Sequence, residues 1–386
     1  MGTVGRPSLQ SRCLGLSKGQ NGLKGQKLQL EIRTLGRTNL DVGVIGLGTE
    51  HLTANRENMD VVLDLAVAAG VTYIDLVYND PSDAHADHWE AIGPAIRRHR
   101  EGLVLALHWG FIFHEPVDHC QQCFDQALGR LGNGYAEVAM LSMVDTESLW
   151  QGWARESIER LGRYQRDGRV GFIGLSNHNP AVARMAVESG LIDVLMFPVN
   201  LYQHHGDQER VALLEAGAEH QVGVVAMKPY YGGVLLQREG RPTGITPAQC
   251  LHYVLTQPVA TAVPGPRNAD EMHQALRYLD ASVEEKRSTP LHEELKDWLR
   301  GQCVRCKHCL PCPQDIPIPE VIYYLEYVEF YGGTPLHQQL NREWYASLPV
   351  KGSDCIECEV CLERCPFDVD IIGKMRRAVE VFETAV

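Results

Sequence analysis

Short apolar runs alternate with amphipathic segments between residues 41 and about 280. The runs are four to eight residues long and rich in Val, Ile and Leu, which predicts parallel strands covered on both faces. Segments such as ENMDVVLDLAVAAG, PVDHCQQCFDQALGRLG and PAVARMAVESG space their apolar residues three and four apart and predict helices. The predicted strands are VGVIGLGT, YIDLVY, LVLALHW, VAMLSMV, GFIGLSN, DVLMFPVN, GVVAMKPY and VATAVPG.

Eight strand-plus-helix units in about 240 residues predict an α/β protein with a (β/α)8 TIM barrel, whose site lies at the C-terminal ends of the strands. A doubly wound sheet is the alternative, but it normally carries a G-x-G-x-x-G turn after its first strand. The segment GLGTEHL at residues 46–52 does not supply that turn. The barrel is therefore the expected architecture.

Two cysteine-rich segments form an internal repeat after the predicted barrel. CVRCKHCLPCPQDIPI spans residues 303–318 and CIECEVCLERCPFDVDI spans residues 355–371. The second has the C-x2-C-x2-C-x3-C-P spacing typical of bacterial two-cluster ferredoxins, in which the fourth cysteine binds the other cluster. The first is one residue shorter before its fourth cysteine, which leaves open which sulfur binds which cluster.

The repeat predicts two 4Fe–4S clusters and hence one-electron chemistry. Zinc is the alternative metal, although structural zinc usually takes two C-x2-C pairs separated by a longer spacer. A disulfide framework fits poorly in a chain of 386 residues. A separate C-x2-C at Cys120 and Cys123 falls in an amphipathic helical pattern and is interpreted as half-buried core thiols. One predicted cluster is bound by Cys303, Cys306, Cys309 and Cys365, and the other by Cys355, Cys358, Cys361 and Cys312.

The pattern divides the chain into three parts. Residues 1–28 contain five basic residues and no acid, and we interpret them as a disordered tail rather than a transit peptide. Residues 29–284 form the predicted barrel, and residues 285–386 a helical linker and a small ferredoxin-like 4Fe–4S domain. One or two helices are expected between the cysteine segments, packing the small domain against the barrel.

Composition narrows the partners. The net charge of −13 argues against general nucleic-acid binding, because a phosphate backbone would be repelled. No run of 18 apolar residues is present, so no membrane span is expected. The predicted location is the cytoplasm, and the predicted partners are a small-molecule substrate and an external electron carrier.

Four segments resemble the aldo-keto reductase family: RTLGRTNLDVGVIGLGT, GRVGFIGLSNHNP, GVVAMKPYYGGVL and AVPGPRNADEM. With the cysteine repeat, the chain resembles the subgroup that carries a C-terminal ferredoxin-like domain with two 4Fe–4S clusters. The resemblance implies a catalytic Asp, Tyr, Lys and His at the strand ends, with the Tyr protonating a carbonyl while a nicotinamide delivers hydride.

Only part of that catalytic set is present. Asp75 matches the family Asp, and Tyr78 is the phenol nearest to the Tyr position, which holds Asp80. The Lys position holds His108 and the His position holds Ser142. We take Asp75, Tyr78 and His108 as candidate catalytic residues, because a His can donate a proton near neutral pH. The alternative is that His108 only fills a packed strand end.

The resemblance also implies NAD(P) binding. Ser176 and Asn177 match family residues that hold the nicotinamide carboxamide, whereas the Gln position of the sixth strand holds Met196. The segment with Gly265, Arg267 and Asn268 opens a helix whose N-terminus is expected to take a phosphate. An ordinary proline-glycine turn is the alternative interpretation of this segment.

Further polar residues follow the predicted strands. They are His51, His178, His204, His205 and Lys228, and we assign none of them to a metal. Three functions remain open: an iron-sulfur oxidoreductase with a nicotinamide, a reductase fed by the clusters without nicotinamide, and an electron-transfer protein with a vestigial barrel.

Overall fold

An eight-stranded parallel sheet forms the centre of the computed structural model, which describes residues 30–53, 55–77, 86–110, 116–203, 207–238, 241–287, 299–330 and 335–384. An antiparallel hairpin of β1 (Ile32–Thr34) and β2 (Asp41–Gly43) precedes the sheet. The sheet strands follow in chain order as β3 (Leu47–Gly48), β4 (Tyr73–Leu76), β5 (Val104–Trp109), β6 (Ala136–Leu141), β7 (Val170–Ser176), β8 (Val194–Pro198), β9 (Gly223–Met227) and, after the short pair β10 (Gln237–Arg238) and β11 (Arg241–Pro242), β12 (Thr261–Val263).

The last strand closes onto the first. The Gly46 amide donates to the Ala262 carbonyl at 2.8 Å, and the Ala262 amide donates to the Val44 carbonyl at 2.9 Å. The sheet is therefore a closed barrel, and the predicted (β/α)8 architecture with all eight predicted strands is confirmed.

Helices connect the strands and extend beyond them. The barrel helices are α1 (Arg56–Ala68), α2 (Ala86–His99), α3 (Val117–Arg130), α4 (Glu147–Leu149), which continues through a π-helical turn at Trp150–Ala154 into α5 (Arg155–Arg166), then α6 (Pro180–Glu188), α7 (Gln208–Glu219), α8 (Pro247–Leu255), α9 (Ala269–Leu276) and α10 (Val283–Lys286). The C-terminal helices are α11 (Ile318–Phe330), α12 (Pro335–Ser347), α13 (Val360–Arg364) and α14 (Ile371–Ala378), with a 3-10 turn at Gly352–Asp354 and a π-helical turn at Val379–Glu383.

The N-terminal hairpin packs against one end of the barrel. Leu35 joins the apolar cluster inside the barrel, and Arg37 Nε lies 3.0 Å from Asp193 Oδ1. Gly36 has φ +55°, and a Cβ there would lie 2.2 Å from the Gly223 amide nitrogen, so only glycine fits this turn. Asp193 and Gly223 precede or begin their strands, so the hairpin covers the N-terminal strand ends and leaves the C-terminal ends for the site.

The C-terminal segment packs against the loops at the C-terminal ends of the strands. Leu201, Tyr202, Leu235 and Cys250 share one buried apolar cluster with side chains from Leu299 to Ala378. Burying such side chains contributes roughly 1.5–3 kcal/mol each, which holds the segment at that end of the barrel.

The regions between and around the barrel helices match the expectations in part. The two helices α11 and α12 between the cysteine segments are confirmed. In the predicted helical linker, α10 ends at Lys286, residues 288–298 lie outside the described residues, and Leu299 begins a turn. The predicted disordered tail also lies outside them.

Cys120 and Cys123 lie on α3 and are buried more deeply than expected, at 1% and 6% exposure. Among the described helices, none has the length and apolar character needed to cross a bilayer.

Candidate active site

A buried chain of hydrogen bonds joins the C-terminal ends of three neighbouring strands. His108 Nε2 lies 3.1 Å from Asp75 Oδ1, and His108 Nδ1 lies 2.8 Å from Ser142 Oγ. Ser142 Oγ donates to the Gly110 carbonyl at 2.9 Å. Asp75, His108 and Ser142 are only 4%, 4% and 2% exposed. The strand ends therefore bring together three of the four positions at which the catalytic set was expected.

The hydrogen bonds define what this chain can hold. A serine hydroxyl has one proton, so Ser142, which donates to Gly110, accepts from His108 Nδ1–H. His108 Nε2 then faces the carboxyl of Asp75, and the two atoms lie within hydrogen-bond distance. The pair thus forms a buried hydrogen-bonding group at the mouth of the barrel. Both ring nitrogens of His108 have hydrogen-bond partners, so this side chain does more than pack the end of a strand.

The candidate phenol Tyr78 lies outside the described residues. Tyr73, two residues before Asp75 on β4, is a buried phenol that the sequence interpretation missed. Its hydroxyl has no hydrogen-bond partner among the residues that the structure describes. Burial, and then the charge of Asp75, raise the pKa of Tyr73 well above its ordinary value, so this phenol keeps its proton.

A second polar group lies at the rim, where Asp145, His178 and Lys228 meet. His178 Nδ1 is 3.0 Å from Asp145 Oδ2, and its backbone amide donates to Asp145 Oδ1 at 2.6 Å. Lys228 Nζ lies 3.1 Å from His178 Nε2. Asp145 was not singled out from the sequence, although it follows β6 just as His178 follows β7, and the ends of neighbouring parallel strands lie side by side.

Burial and charge tune this rim group. Burial lowers the pKa of His178, with the nearby Lys228 ammonium acting in the same direction. Burial also lowers the pKa of Lys228, opposed by Glu50 and assisted by the positive charge of Arg305. Both bases therefore bind protons less tightly than in water, which suits groups that exchange protons.

The remaining predicted rim histidines do not join these groups in the described structure. His51 is exposed and lies 4.0 Å from Glu50. His204 and His205 lie outside the described residues.

The predicted carboxamide-binding residues lie at the end of β7. Ser176 is 4% exposed and Asn177 is fully buried. The Asn177 side chain donates to the Val144 carbonyl and accepts from the Asn179 amide at 2.6 Å. Asn177 therefore ties the loop after β6 to the loop after β7, and Met196 occupies the position of the family Gln as a buried apolar side chain.

The predicted phosphate-binding residues follow β12. Asn268 caps α9, with its Oδ1 accepting from the Glu271 amide at 3.0 Å. The Arg267 amide and Nε each lie 2.8 Å from the Glu271 carboxylate. Gly265 is exposed and faces only His51. An acidic side chain thus already pairs with the cation that was expected to meet a phosphate.

Eight cysteines line two separate cavities in the C-terminal segment. The cavities enclose about 320 and 350 Å³ of space free of protein atoms, including their openings. Each receives three cysteines from one repeat and one from the other. The first cavity is lined by Cys303, Cys306, Cys309 and Cys365, and the second by Cys312, Cys355, Cys358 and Cys361.

The two cysteine loops share an unusual backbone. The residues on either side of the middle cysteine have positive φ in both: +57° and +64° for Arg305 and Lys307, and +56° and +63° for Glu357 and Glu359. Each non-glycine residue held there costs roughly 1–2 kcal/mol, so the loops store strain around their cavities. The shared geometry confirms the internal repeat as a structural one.

No group of three or more His, Cys, Asp or Glu side chains in the described ranges is arranged to hold a metal ion. The described cysteines, including all eight of the repeat, have free thiols. Backbone amides point at some of these sulfurs, such as that of Gln314 at 3.5 Å from Cys312 Sγ. Burial raises the pKa of Cys303 to about 12, opposed by a backbone hydrogen bond from Arg305.

The fold and the polar groups at the strand ends define a (β/α)8 barrel of the enzymatic type, with proton-holding residues at its C-terminal mouth. The model of the aldo/keto reductase family matches residues 39–249. The chain therefore belongs to the aldo/keto reductase family, whose members are oxidoreductases that act on small molecules.

Individual relatives agree with this assignment. The uncharacterized oxidoreductase YqkF of Bacillus subtilis (strain 168) is 26% identical over 215 residues, which cover 53% of this chain and 67% of that protein. A Pseudomonas aeruginosa structure described as an aldo-keto reductase is 24% identical with a TM-score of 0.52, covering 65% of this chain and 96% of its own. Aldo-keto reductase AKR11C1 from Bacillus halodurans, in its holo form, is 20% identical with a TM-score of 0.55, covering 67% and 94%. The structural likenesses support the barrel fold.

Proposed function

We propose that this chain is an iron-sulfur oxidoreductase of the aldo-keto reductase type, with two 4Fe–4S clusters and a small-molecule substrate bound at the barrel mouth. The observation that carries the proposal is the pair of cavities that each receive four cysteines, three from one repeat and one from the other. This is the ligand distribution of a two-cluster ferredoxin. The proposed domain division, a barrel over residues 29–284 and a ferredoxin-like segment over 285–386, follows from it.

The donor set fits a cluster better than a single ion. A zinc ion needs four sulfurs at about 2.3 Å, which brings them into one tight tetrahedron. The described cysteines form no such group, although four surround each cavity. Four thiols spread around a space suit a larger polynuclear centre, and thiolates are the preferred ligands of iron-sulfur clusters.

Each cavity would hold its cluster through its four cysteines. When bound, a 4Fe–4S cluster accepts and releases one electron at a time. The chain also supplies apolar neighbours, since Ile318 and Ile371 line both cavities. At the barrel mouth, Asp75 and His108 hold a proton between Oδ1 and Nε2, where a reduced substrate needs one.

We propose NAD(P) as a further cofactor, because part of its expected binding site is present. Ser176 and Asn177 lie at the end of β7, where the family holds the carboxamide, and Gly265 is exposed after β12. Arg267 can meet a phosphate only if Glu271 releases it. The residues therefore fit the cofactor in part, and they predict weak binding.

Anaerobic purification with reconstitution tests the proposal. We expect about eight iron and eight acid-labile sulfide per chain, and the electron paramagnetic resonance (EPR) signals of reduced 4Fe–4S centres after dithionite treatment. A Cys309→Ala variant should lose one centre, whereas Cys250→Ala, a buried cysteine outside the repeat, should keep both. Zinc in place of iron, or no metal after reconstitution, would overturn the proposal.

A nicotinamide-independent reductase is the second candidate, and the Arg267–Glu271 pair favours it, because this pair occupies the expected phosphate site. Anaerobic titration with NADPH decides between the two: binding with intact clusters supports the first, and no binding supports the second. An electron-transfer protein with a vestigial barrel would have no need for the buried Asp75–His108 pair. Turnover of any carbonyl in a screen with a low-potential reductant would exclude it.

A further inference from the structure

Arg305 connects the first cysteine loop to the barrel. It lies between Cys303 and Cys306, and its Nη2 donates to Tyr231 Oη at 2.6 Å. The guanidinium carbon also lies 4.7 Å from the centre of the Tyr323 ring. Tyr231 belongs to the loop after β9, three residues beyond Lys228 of the rim. The guanidinium is thus held between the barrel mouth and α11 by a hydrogen bond to Tyr231 and by cation–π contacts with the rings of Tyr231 and Tyr323.

Two more contacts join the same loop to the barrel. Tyr202, after β8, donates its hydroxyl to the Cys303 carbonyl at 3.3 Å and stacks on Tyr231 with ring centres 4.2 Å apart. Lys307 forms an ion pair with Glu209 at the start of α7. The first cysteine loop is therefore fixed at three points to loops that surround the barrel mouth.

The second cavity lies apart from these contacts. The linings of both cavities come from the C-terminal segment, but the barrel contacts described above belong to the loop of the first cavity. Cys358 is exposed, and the neighbouring Ile356 is 60% exposed. Glu357, between Cys355 and Cys358, pairs with Arg376 at 2.7 Å, so the cation beside the second cysteine loop bonds within the segment rather than to the barrel.

We propose that the centre on Cys303, Cys306, Cys309 and Cys365 is the inner one, coupled to the barrel site through Arg305, and that the other centre faces outward to receive electrons. This inference rests on the proposed function and assigns an order to its two centres. Electrons would arrive singly from a one-electron carrier protein, which is oxidised at the outer loop, and would leave from the inner loop to the small-molecule substrate, which is reduced at the barrel mouth after two such transfers. Arg305 acts as a positioning residue and as a fixed positive charge shared by both sites.

The sign of the coupling follows from charge. Reduction adds one negative charge to a centre, and a nearby guanidinium stabilises the reduced form, which raises its midpoint potential. The same guanidinium lies close enough to the rim to act on Lys228 and His178. A charge removed from either side of the junction should therefore lower the potential of the inner centre.

EPR-monitored redox titration of the reconstituted full chain tests the order of the centres. Cys306→Ala and Cys358→Ala variants assign the two signals. Arg305→Gln should lower the midpoint potential of the inner centre alone, and Arg305→Lys should restore it in part. Arg376→Gln, the matched control beside the second cysteine loop, should shift only the outer centre.

Two milder variants guard against misfolding. Tyr231→Phe keeps the ring stacking but loses the hydrogen bond to Arg305, and Lys228→Met removes a charge on the barrel side. Lys228→Met should lower the potential of the inner centre, Tyr231→Phe, which leaves the Arg305 charge in place, should lower it less, and both should leave the outer centre unchanged. Equal shifts of both centres, or shifts of the outer centre only, would overturn this inference while leaving the proposed function intact. A protein without iron would instead overturn the proposed function.

Discussion

The crossed arrangement of cysteine ligands can be tested with two double variants that share one substitution. Cys365 is the fourth cysteine of the second repeat but lines the cavity of the first, together with Cys306. In Cys306→Ala/Cys365→Ala, both lost ligands belong to one centre. In Cys358→Ala/Cys365→Ala, each centre loses one ligand.

The expected iron content follows from this geometry. The first double variant should keep one intact centre, with about four iron per chain and one native EPR signal. The second should keep no native signal, because both centres are damaged. An uncrossed arrangement, in which each repeat binds its own cluster, predicts the reverse pair of results. The reversed outcome would refute the crossed ligand sets.

The crossing also has a stability consequence. The centre that the first double variant keeps joins Cys312 to Cys355 and closes a loop of about 43 residues, and on the chain-entropy model such a cross-link contributes about 4 kcal/mol. A local centre within Cys303–Cys312 closes about ten residues and contributes about 2.5 kcal/mol on the same model. Denaturant unfolding of the two double variants under anaerobic conditions should therefore show the first to be the more stable.

Three further predictions concern the barrel. Arg267→Ala should weaken NADPH binding about tenfold, which corresponds to the loss of one charge-assisted hydrogen bond. Glu271→Gln should strengthen NADPH binding, because it frees Arg267. If calorimetric titration finds neither change, the result counts against the phosphate site. Burial lowers the pKa of His178, so the folded chain takes up this proton less readily than the unfolded chain does. The folded state should therefore lose stability as the pH falls below about 6.5. Thermal melts of His178→Gln should show a smaller loss over the same pH range. Arg210→Met should lower the free energy of unfolding by about 3–5 kcal/mol, because it leaves the buried Asp207 carboxylate without its ion-pair partner. Adding Asp207→Asn, which retains the α7 cap, should recover most of that loss in urea unfolding. An equal loss in the single and the double variant would contradict this account.

The apolar pattern predicts the barrel well because parallel strands are buried on both faces. Strands such as Val104–Trp109 and Val194–Pro198 are buried along their whole length, so each leaves a continuous apolar run in the sequence. The cysteine spacing predicts the grouping around the two cavities for a similar reason, since a short loop limits where its thiols can point. The N-terminal hairpin at Ile32–Thr34 and Asp41–Gly43 gave no comparable signal, because its strands are only three residues long.

Contacts between distant loops were beyond the reach of the sequence. Arg305 and Tyr231 are separated by 74 positions, and no periodicity relates a cysteine loop to a barrel loop. Two other features did leave a signal. Arg267 and Glu271 are four residues apart at the start of a helix, the spacing of an ion pair. Asp145 follows the fourth of the eight apolar barrel runs, and its neighbour His178 follows the fifth.

The two departures from the family at the strand ends are best understood together. A lysine beside Asp75 would carry three freely rotating donors, whereas the imidazole of His108 has two nitrogens fixed in one plane. With Nε2 directed at Asp75, Nδ1 points at the end of the next strand, 2.8 Å from Ser142 Oγ. A serine fits there because its hydroxyl accepts a hydrogen bond from Nδ1 and donates one to the Gly110 carbonyl. A histidine at position 142 would bring a second bulky ring to a site that is only 2% exposed. His108 and Ser142 are therefore a sterically compatible pair, in which an imidazole nitrogen takes the place of the lysine nitrogen next to Asp75.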